Sequence, residues 1–237
     1  FLKEHYKSSQ TFLNLIKEYN IENTNIIKTN NFFVHDNTEY SINYIEELNR
    51  FDLVYKNTNL KNINTMVEIG GGFGSSIHIH LQNLKKLKKI LLIDIFPIIY
   101  LSSQYLKFFY GSAVKDYSHF KNGKIKFQDN DDIEIICIPP WKIKDFEGKA
   151  DYFYNSYSFV EMDNTTLKFY IYFLNRVLNY KKIISLVTYD KQSDKNLVLK
   201  DFLNLFEVQF LEKKNPVLWS HHYPKKRDNI YFLYDNF

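Results

Sequence analysis

One glycine-rich segment carries the strongest structural signal in this chain: Val67-Glu68-Ile69-Gly70-Gly71-Gly72-Phe73-Gly74. It ends a short apolar run that begins at residue 63, and it precedes a segment, 75–87, with a helical pattern. Glycines let the backbone turn sharply and leave the main chain bare against a ligand, and the helix that follows offers free N–H groups and the positive end of its dipole. The segment therefore predicts a strand, a ligand-binding loop and a helix.

Two acidic residues accompany this loop. Glu68 stands near the end of the first predicted strand, and Asp94 follows Gly74 by twenty residues, within the apolar run 90–95. In a sheet of parallel strands joined by helices, a carboxylate at the tip of the second strand can reach the two hydroxyls of a ribose. We therefore expect both carboxylates to face one crevice.

The spacing of the glycines separates the possible nucleotide ligands. The NAD-binding pattern Gly-x-Gly-x-x-Gly would place Ser75 at its third glycine, and a phosphate-binding P-loop requires a Gly-Lys pair before Ser or Thr that is missing here. The glycines instead form Gly-x-Gly-x-Gly after an acid. An acid beside the loop would repel a pyrophosphate but suits an ammonium and a sulfonium, so the charge favours S-adenosylmethionine.

Strand and helix patterns alternate from residue 63 onward. Strands are predicted at 63–69, 90–95, 133–138, 152–157, 183–188, 207–211 and 230–234, with helices at 75–87, 97–109, 164–179 and 197–205. Strands separated by helices imply right-handed crossovers and a doubly wound, mostly parallel sheet, and the last two strands, with no convincing helix between them, imply an antiparallel hairpin at one edge. The prediction is an α/β, Rossmann-like fold with seven strands.

The first sixty residues read as helices joined by a polar, Asn-rich connection at 23–31. We expect residues 1–60 to form a helical N-terminal extension or cap and residues 61–237 to form the ligand-binding domain. An aromatic helix in the extension is consistent with a homodimer. The chain begins at Phe1 rather than Met, which predicts that it is part of a longer protein.

Composition excludes several classes of protein. With 45% apolar and 18% aromatic residues, the 237-residue chain can bury a large core and is not a disordered chain. The net charge is +4, but only three of the basic residues are arginines. Because arginine is the side chain that favours phosphate and base recognition, we expect no nucleic-acid partner. No apolar window approaches the roughly 18 residues of a membrane span, and Cys137 alone cannot form a disulfide framework. We expect a cytoplasmic protein.

The quoted glycine segment, the Leu91-Leu92-Ile93-Asp94 run and the count of seven strands resemble the class I S-adenosylmethionine (SAM)-dependent methyltransferases. Within that superfamily, the segment Asn155-Ser156-Tyr157-Ser158-Phe159-Val160-Glu161-Met162 is similar to the Asn-x-x-Ser-Phe-x-Glu-Met stretch of sugar O-methyltransferases from bacterial glycan clusters, with Val160 in place of the more usual Gln. The resemblance covers about residues 63–190. It implies SAM as cofactor and methyl transfer to a hydroxyl of a sugar, nucleotide sugar or polysaccharide precursor.

Transfer to a hydroxyl requires an acceptor oxygen held in line with the methyl group and a group that removes the proton. Glu161, just beyond the fourth predicted strand, is the first candidate for base or substrate anchor; as an alternative it stabilises the start of a helix. His221 and His222 lie in the loop between the last two strands, where either imidazole could act as base near neutral pH, or the loop could be an ordinary surface loop.

The remaining site predictions concern the cofactor, the substrate and metals. Asn155 is a candidate for the methionine end of the cofactor or a plain turn former, and Trp141 could pack on the adenine or belong to a rigid turn. His78 and His80 are two apart on a predicted helix and point away from each other, so we predict no metal site. Predicted cofactor contacts are Glu68, Gly70, Gly71, Gly72, Phe73, Gly74, Asp94, Ile95 and Asn155, and predicted substrate contacts are Tyr157 and Ser158.

Two other functions stay open on the sequence. A Rossmann-type NAD-dependent oxidoreductase would share most of the loop and acid layout. A non-catalytic SAM-fold module would bind partners through its aromatic N-terminal helices. Binding of SAM against NADH separates the first from a methyltransferase, and the effect of an Asp94 substitution on activity separates the second.

Overall fold

In the computed structural model the described residues are 5–19, 21, 26, 28, 30–120, 123–189, 203–216 and 228–237. The helices within these ranges are α1 His5–Glu18, α2 Ile42–Asn57, α3 Ser75–Asn83, α4 Ile98–Tyr110 and α5 Asn164–Val177. The strands are β1 Phe32–His35, β2 Thr38–Ser41, β3 Thr65–Ile69, β4 Lys89–Ile93, β5 Val114–Lys115, β6 Glu134–Ile138, β7 Ala150–Ser156, β8 Leu178–Tyr189, β9 Leu211–Pro216 and β10 Asp228–Asp235. None of these helices combines the length and apolar character that a bilayer crossing requires.

The central sheet has the strand order β5-β6-β4-β3-β7-β8-β10-β9. The strands from β5 through β8 pair in parallel, whereas β10 runs antiparallel to both β8 and β9. The predicted α/β architecture, with a mostly parallel sheet and an antiparallel hairpin at one edge, is therefore confirmed. The sheet has eight strands within the described residues rather than seven, because β5 contributes only Val114 and Lys115, too short a segment to leave an apolar run.

The edge strand β9 differs from its prediction. The sequence predicts a strand at 207–211, but Asn204–Phe206 forms a 3-10 turn and β9 begins only at Leu211. Phe206 is buried in the core, and Val208 and Phe210 pack against the same cluster. The apolar residues that predicted a strand therefore belong to an irregular segment that packs on the core. The predicted helix 197–205 lies mostly outside the described residues.

The N-terminal region contains a β-hairpin that the sequence analysis did not predict. β1 and β2 pair antiparallel, with Phe33 opposite Tyr40, and the turn places Asp36 and Asn37 at positive φ of 47° and 60°. Asp and Asn tolerate this left-handed conformation, which suits tight hairpin turns. The expectation of helices alone in the first sixty residues is therefore wrong for residues 32–41.

The two faces of the sheet bury separate apolar clusters. Side chains alternate along β3, so Met66 joins the cluster beneath α1 to α4, and Val67 joins the cluster beneath α5. Every residue of β4 and β6 is buried, as the continuous apolar runs predict for strands covered on both faces. Helix α2 contributes Ile45, Leu48 and Phe51 to the first cluster, together with buried residues of α3.

Candidate functional site

The glycine loop joins the end of β3 to the start of α3. The N–H of Gly70 donates to the carbonyl of Ile93 at 2.8 Å, and the N–H of Gly74 donates to the carbonyl of Gly71 at 2.9 Å. Gly70, Gly72 and Gly74 have φ of 74°, 55° and 86°, a left-handed conformation that other residues rarely adopt. The predicted strand, loop and helix are present with a backbone that requires glycine.

The loop glycines face different surroundings. A Cβ on Gly70 would stand 2.2 Å from the Oγ of Ser158, and one on Gly71 would stand 2.5 Å from a methyl carbon of Leu92, so both positions exclude a side chain. Apart from Gly72 itself and its two chain neighbours, no atom of the described residues lies within 4 Å of the position where a Cβ of Gly72 would stand. We call this side of the loop the Gly72 face. It is the part of the loop where a ligand can approach bare main chain.

Asp94 follows the last residue of β4 and lies beside the Gly72 face. Its Oδ2 accepts a hydrogen bond from the N–H of Gly72 at 3.0 Å, and its Oδ1 accepts one from the N–H of Ile95 at 2.7 Å. Burial raises the pKa of Asp94 above its ordinary value, while these two hydrogen bonds oppose the rise. The carboxylate at the strand tip thus braces the loop.

Glu68 lies beneath the loop and is 2% exposed. The hydroxyl of Ser76, in the first turn of α3, is 2.6 Å from its Oε2. Burial raises the pKa of Glu68 to about 8, the Ser76 hydrogen bond lowers it, and the charges of Glu47 and Asp94 raise it further. The raised pKa follows from the enclosure of the carboxyl beneath the loop, which the spacing of residues in the sequence does not reveal.

Asn155 and Ser158 lie where β7 meets the loop. Asn155 is 1% exposed, and its Nδ2 donates to the carbonyl of Ile69 at 2.8 Å and to the Oγ of Ser158 at 2.5 Å. The Oγ of Ser158 lies 3.1 Å from the same Ile69 carbonyl. Both side chains hold the start of the loop, and the side chain of Asn155 is enclosed there.

Three further predicted residues are exposed near the carboxyl ends of the strands. Phe73 and Ile95 are about half exposed, and Glu161 ends the 3-10 turn Ser158–Glu161 that follows β7, with its side chain exposed. His221 and His222 lie outside the described residues. The structure therefore gathers the predicted cofactor residues around the loop and leaves Glu161 accessible on the side of β7.

An aromatic group lies beyond the ends of β4 and β6. Trp141 is 60% exposed and stacks on Phe96 with ring centroids 5.9 Å apart, and Phe96 meets the edge of Tyr117 at 4.7 Å. Trp141 is thus neither a core residue nor isolated. Phe96 follows β4, Tyr117 follows β5 and Trp141 follows β6, so the spacing of these residues in the sequence could not predict that they form one group.

The two histidines of α3 are buried in the core. The Nδ1 of His78 lies 3.0 Å from the hydroxyl of Tyr105, and the Nδ1 of His80 lies 2.7 Å from the carbonyl of Ser76. Burial lowers the pKa of each imidazole to about 4. In the described part of the chain no group of three or more His, Cys, Asp or Glu side chains could hold a metal ion.

A pair of charged residues on α2, Glu47 and Arg50, was not among the residues predicted for the site. Their side chains are only 11% and 12% exposed and form an ion pair next to Tyr157. A Glu and an Arg three positions apart on a helix are a typical surface pair. No signal in the sequence distinguishes a buried pair from an exposed one here.

Comparisons with known proteins establish the fold. No family model and no curated protein matches the sequence. Among solved structures, the chain is similar to mitomycin 7-O-methyltransferase MmcR, with 13% identity, a TM-score of 0.50 and coverage of 81% of this chain and 54% of that one. It is also similar to precorrin-6y C5,15-methyltransferase from Geobacter metallireducens GS-15, with 14% identity, a TM-score of 0.52 and coverage of 78% and 86%. A third similar structure is magnesium protoporphyrin IX methyltransferase (ChlM) from Synechocystis PCC 6803 with bound SAM, with 10% identity, a TM-score of 0.52 and coverage of 81% and 79%.

These likenesses show that the chain has the fold of class I methyltransferases. It spans about half the length of the mitomycin enzyme. The strand order also differs from the 3-2-1-4-5-6 order of dinucleotide-binding sheets, even when the short edge strand β5 is left out. The difference is that β10 lies between β8 and β9 and runs antiparallel to both.

Proposed function

We propose that this protein is a SAM-dependent O-methyltransferase that acts on a hydroxyl of a sugar or glycan precursor. The observation that carries the cofactor assignment is the Gly72 face with the Asp94 carboxylate beside it, at the carboxyl ends of adjacent parallel strands. Ligands of open α/β sheets bind in this crevice. The acceptor class rests on the resemblance of the segment 155–162 to sugar O-methyltransferases.

The residues around the loop fit SAM in shape and chemistry. The Gly72 face admits a ligand against the main chain, and Asp94 retains acceptor capacity for ribose hydroxyls, because each of its oxygens uses one lone pair. The exposed side chains of Phe73 and Ile95 offer apolar surface for a nucleobase. SAM, when bound, supplies a methyl group activated by a sulfonium.

In this proposal the carboxylate of Glu68 compensates the positive charge of SAM. Its proton is held because burial disfavours the carboxylate, and a cation in the crevice favours the ionised form. A cationic cofactor bound beside the loop would lower the pKa of Glu68 and favour release of its proton. A neutral buried acid lets the empty site avoid an uncompensated charge, which would be costly in so enclosed a position.

The acceptor hydroxyl needs a base because its pKa lies far above neutral pH. Glu161 is accessible beyond β7 and is our first choice to accept that proton or to anchor the sugar. His221 and His222 are the alternative bases. By this proposal Tyr157 and Ser158, the two residues that follow β7, contact the acceptor.

The cofactor assignment is tested by calorimetric titration with SAM, S-adenosylhomocysteine and NADH. We expect the two adenosyl compounds to bind and NADH not to bind; NADH binding without SAM binding would make the protein an oxidoreductase candidate. Incubation with methyl-labelled SAM and a panel of nucleotide sugars, followed by mass spectrometry, tests the acceptor class. If wild-type biological activity survives in Asp94→Ala, a non-catalytic binding role replaces the enzyme.

A further inference from the structure

The Glu47–Arg50 pair on α2 lies buried beside the sheet. The Nε of Arg50 donates to Oε2 of Glu47 at 3.0 Å, and its Nη2 makes a second, short hydrogen bond to the same oxygen. The hydroxyl of Tyr154, on β7, donates to Oε1 of Glu47 at 2.6 Å. Burial raises the pKa of Glu47, but the charge and hydrogen bonds of Arg50 outweigh it and hold the pKa below its ordinary value. The pair is ionised and fixed from both sides.

The guanidinium of Arg50 also holds Tyr157. Its Cζ lies 5.0 Å from the centroid of the Tyr157 ring, and its Nη1 donates to the Tyr157 hydroxyl at 3.4 Å. That hydroxyl in turn donates to Oδ1 of Asn229, on β10, in a short hydrogen bond. Tyr157 has a φ of 66°, a left-handed conformation that costs a bulky residue free energy and persists only where surrounding contacts impose it.

The position of Tyr157 determines where Ser158 meets the glycine loop. The N–H of Tyr157 donates to the carbonyl of Val187 at 2.8 Å, and the next residue directs its Oγ at Gly70 and at the carbonyl of Ile69. Ser158 occupies the space that a Cβ on Gly70 would need, so the two residues pack closely. A continuous set of contacts therefore runs from Arg50 through Tyr157 and Ser158 to Gly70.

We propose that Glu47 and Arg50 are positioning residues of the candidate site, which hold Tyr157 and Ser158 against the glycine loop. Helix α2 belongs to the segment 1–60 that the sequence predicts as an extension or cap, and by this inference it is part of the site's machinery. The inference depends on the proposed function for the ligand used as probe, S-adenosylhomocysteine. A pair that only fastened α2 to the sheet would not respond to a ligand at the loop.

The test uses the Nε–Hε signals of ¹⁵N-labelled arginine in the full chain. The sequence contains three arginines, Arg50, Arg176 and Arg227, so Arg50→Lys and Arg176→Lys assign the spectrum. Saturation with S-adenosylhomocysteine, verified by calorimetry on the same sample, should shift the Arg50 signal. The signal of Arg176 is the internal control, because this residue on α5 donates to the carbonyl of Ile143 at 2.9 Å and should stay in place.

Two variants extend the test to affinity. Tyr157→Phe keeps the ring and removes the hydroxyl, and Glu47→Gln combined with Arg50→Met removes both charges without leaving one buried alone. We expect the affinity for S-adenosylhomocysteine to fall about tenfold in the double variant and less in Tyr157→Phe. Arg50→Lys should also bind S-adenosylhomocysteine more weakly than the wild type, because the ammonium group of lysine lacks the planar set of donors of a guanidinium. Thermal unfolding identifies any variant that does not fold, and Tyr157→Phe, which loses one oxygen atom, serves as the mild variant.

An Arg50 signal that does not move while the ligand saturates the site would overturn the inference, as would wild-type affinity in the folded double variant. Failure of the wild-type chain to bind S-adenosylhomocysteine or SAM in calorimetry would refute the proposed function instead. The two failures are therefore distinguishable in the same set of samples.

Discussion

Asp94 accepts a hydrogen bond from the backbone N–H of Gly72 at 3.0 Å. This contact ties the tip of β4 to the loop after β3 and places a carboxylate beside the Gly72 face. A carboxylate has about four acceptor sites, and the N–H groups of Gly72 and Ile95 occupy two of them. The remaining acceptor sites of this carboxylate are the ones that the hydroxyls of a ribose would use.

Asp94→Asn should weaken S-adenosylhomocysteine binding by about 10- to 100-fold, because hydrogen bonds to a charged acceptor contribute about 1.5–3 kcal/mol each. Calorimetric titration measures the change. The control is Asp132→Asn, since the carboxylate of Asp132 lies just before β6, at the opposite end of the sheet, and accepts from the side chain of Asn130 at 3.1 Å. Equal affinity in the two variants would remove Asp94 from the cofactor site.

Gly72→Ala should lower the affinity for S-adenosylhomocysteine at least tenfold, because the added methyl group occupies the Gly72 face. It should also cost about 1–2 kcal/mol of unfolding free energy, since φ is 55°. Gly111→Ala is the control: φ is also positive there, at 51°, and no atom of the described residues beyond its chain neighbours lies within 4 Å of its Cβ position. The control should be destabilised but bind normally. Normal binding by Gly72→Ala would place the ligand elsewhere.

Glu68 should make the protein less stable as the pH rises. Its pKa is about 8 in the folded protein against 4.5 ordinarily, so the native state binds more protons than the unfolded state between those values. The free energy of unfolding contributed by this group therefore falls from about pH 4.5 to about pH 8 and is constant above. Glu68→Gln should match the wild-type melting temperature near pH 5 and exceed it near pH 8.5. Parallel melting profiles across this range would contradict the raised pKa.

Glu161→Gln should lower turnover by about 10²- to 10⁴-fold while the affinity for SAM is nearly unchanged, because the amide cannot accept the acceptor's proton. Transfer of labelled methyl to a nucleotide sugar measures turnover, and calorimetry measures affinity. The parallel variants His221→Gln and His222→Gln distinguish an imidazole base from a carboxylate. Full turnover in Glu161→Gln would exclude this residue as the base.

Local sequence patterns predict the glycine loop and the acid beside it. The glycines at 70, 72 and 74 report a backbone conformation that other residues rarely adopt, and the position of Asp94 follows from the spacing of two buried strands. The β9 and β1–β2 regions were not predictable in the same way. Strand β9 lies at the edge of the sheet with a polar sequence, and the apolar residues just before it pack without forming a strand.

Local sequence patterns are enough to predict the alternating α/β architecture, the glycine loop and the acid at the end of the second parallel strand, because periodicity and glycine act over a few neighbouring residues. The raised pKa of Glu68, the hydrogen bond by which Asn155 braces the loop and the burial of the Glu47–Arg50 pair against Tyr157 follow from the tertiary structure. These properties depend on which surfaces meet. Desolvation changes the free energy of a charge according to its surroundings, and those surroundings come from strands and helices far apart in the chain.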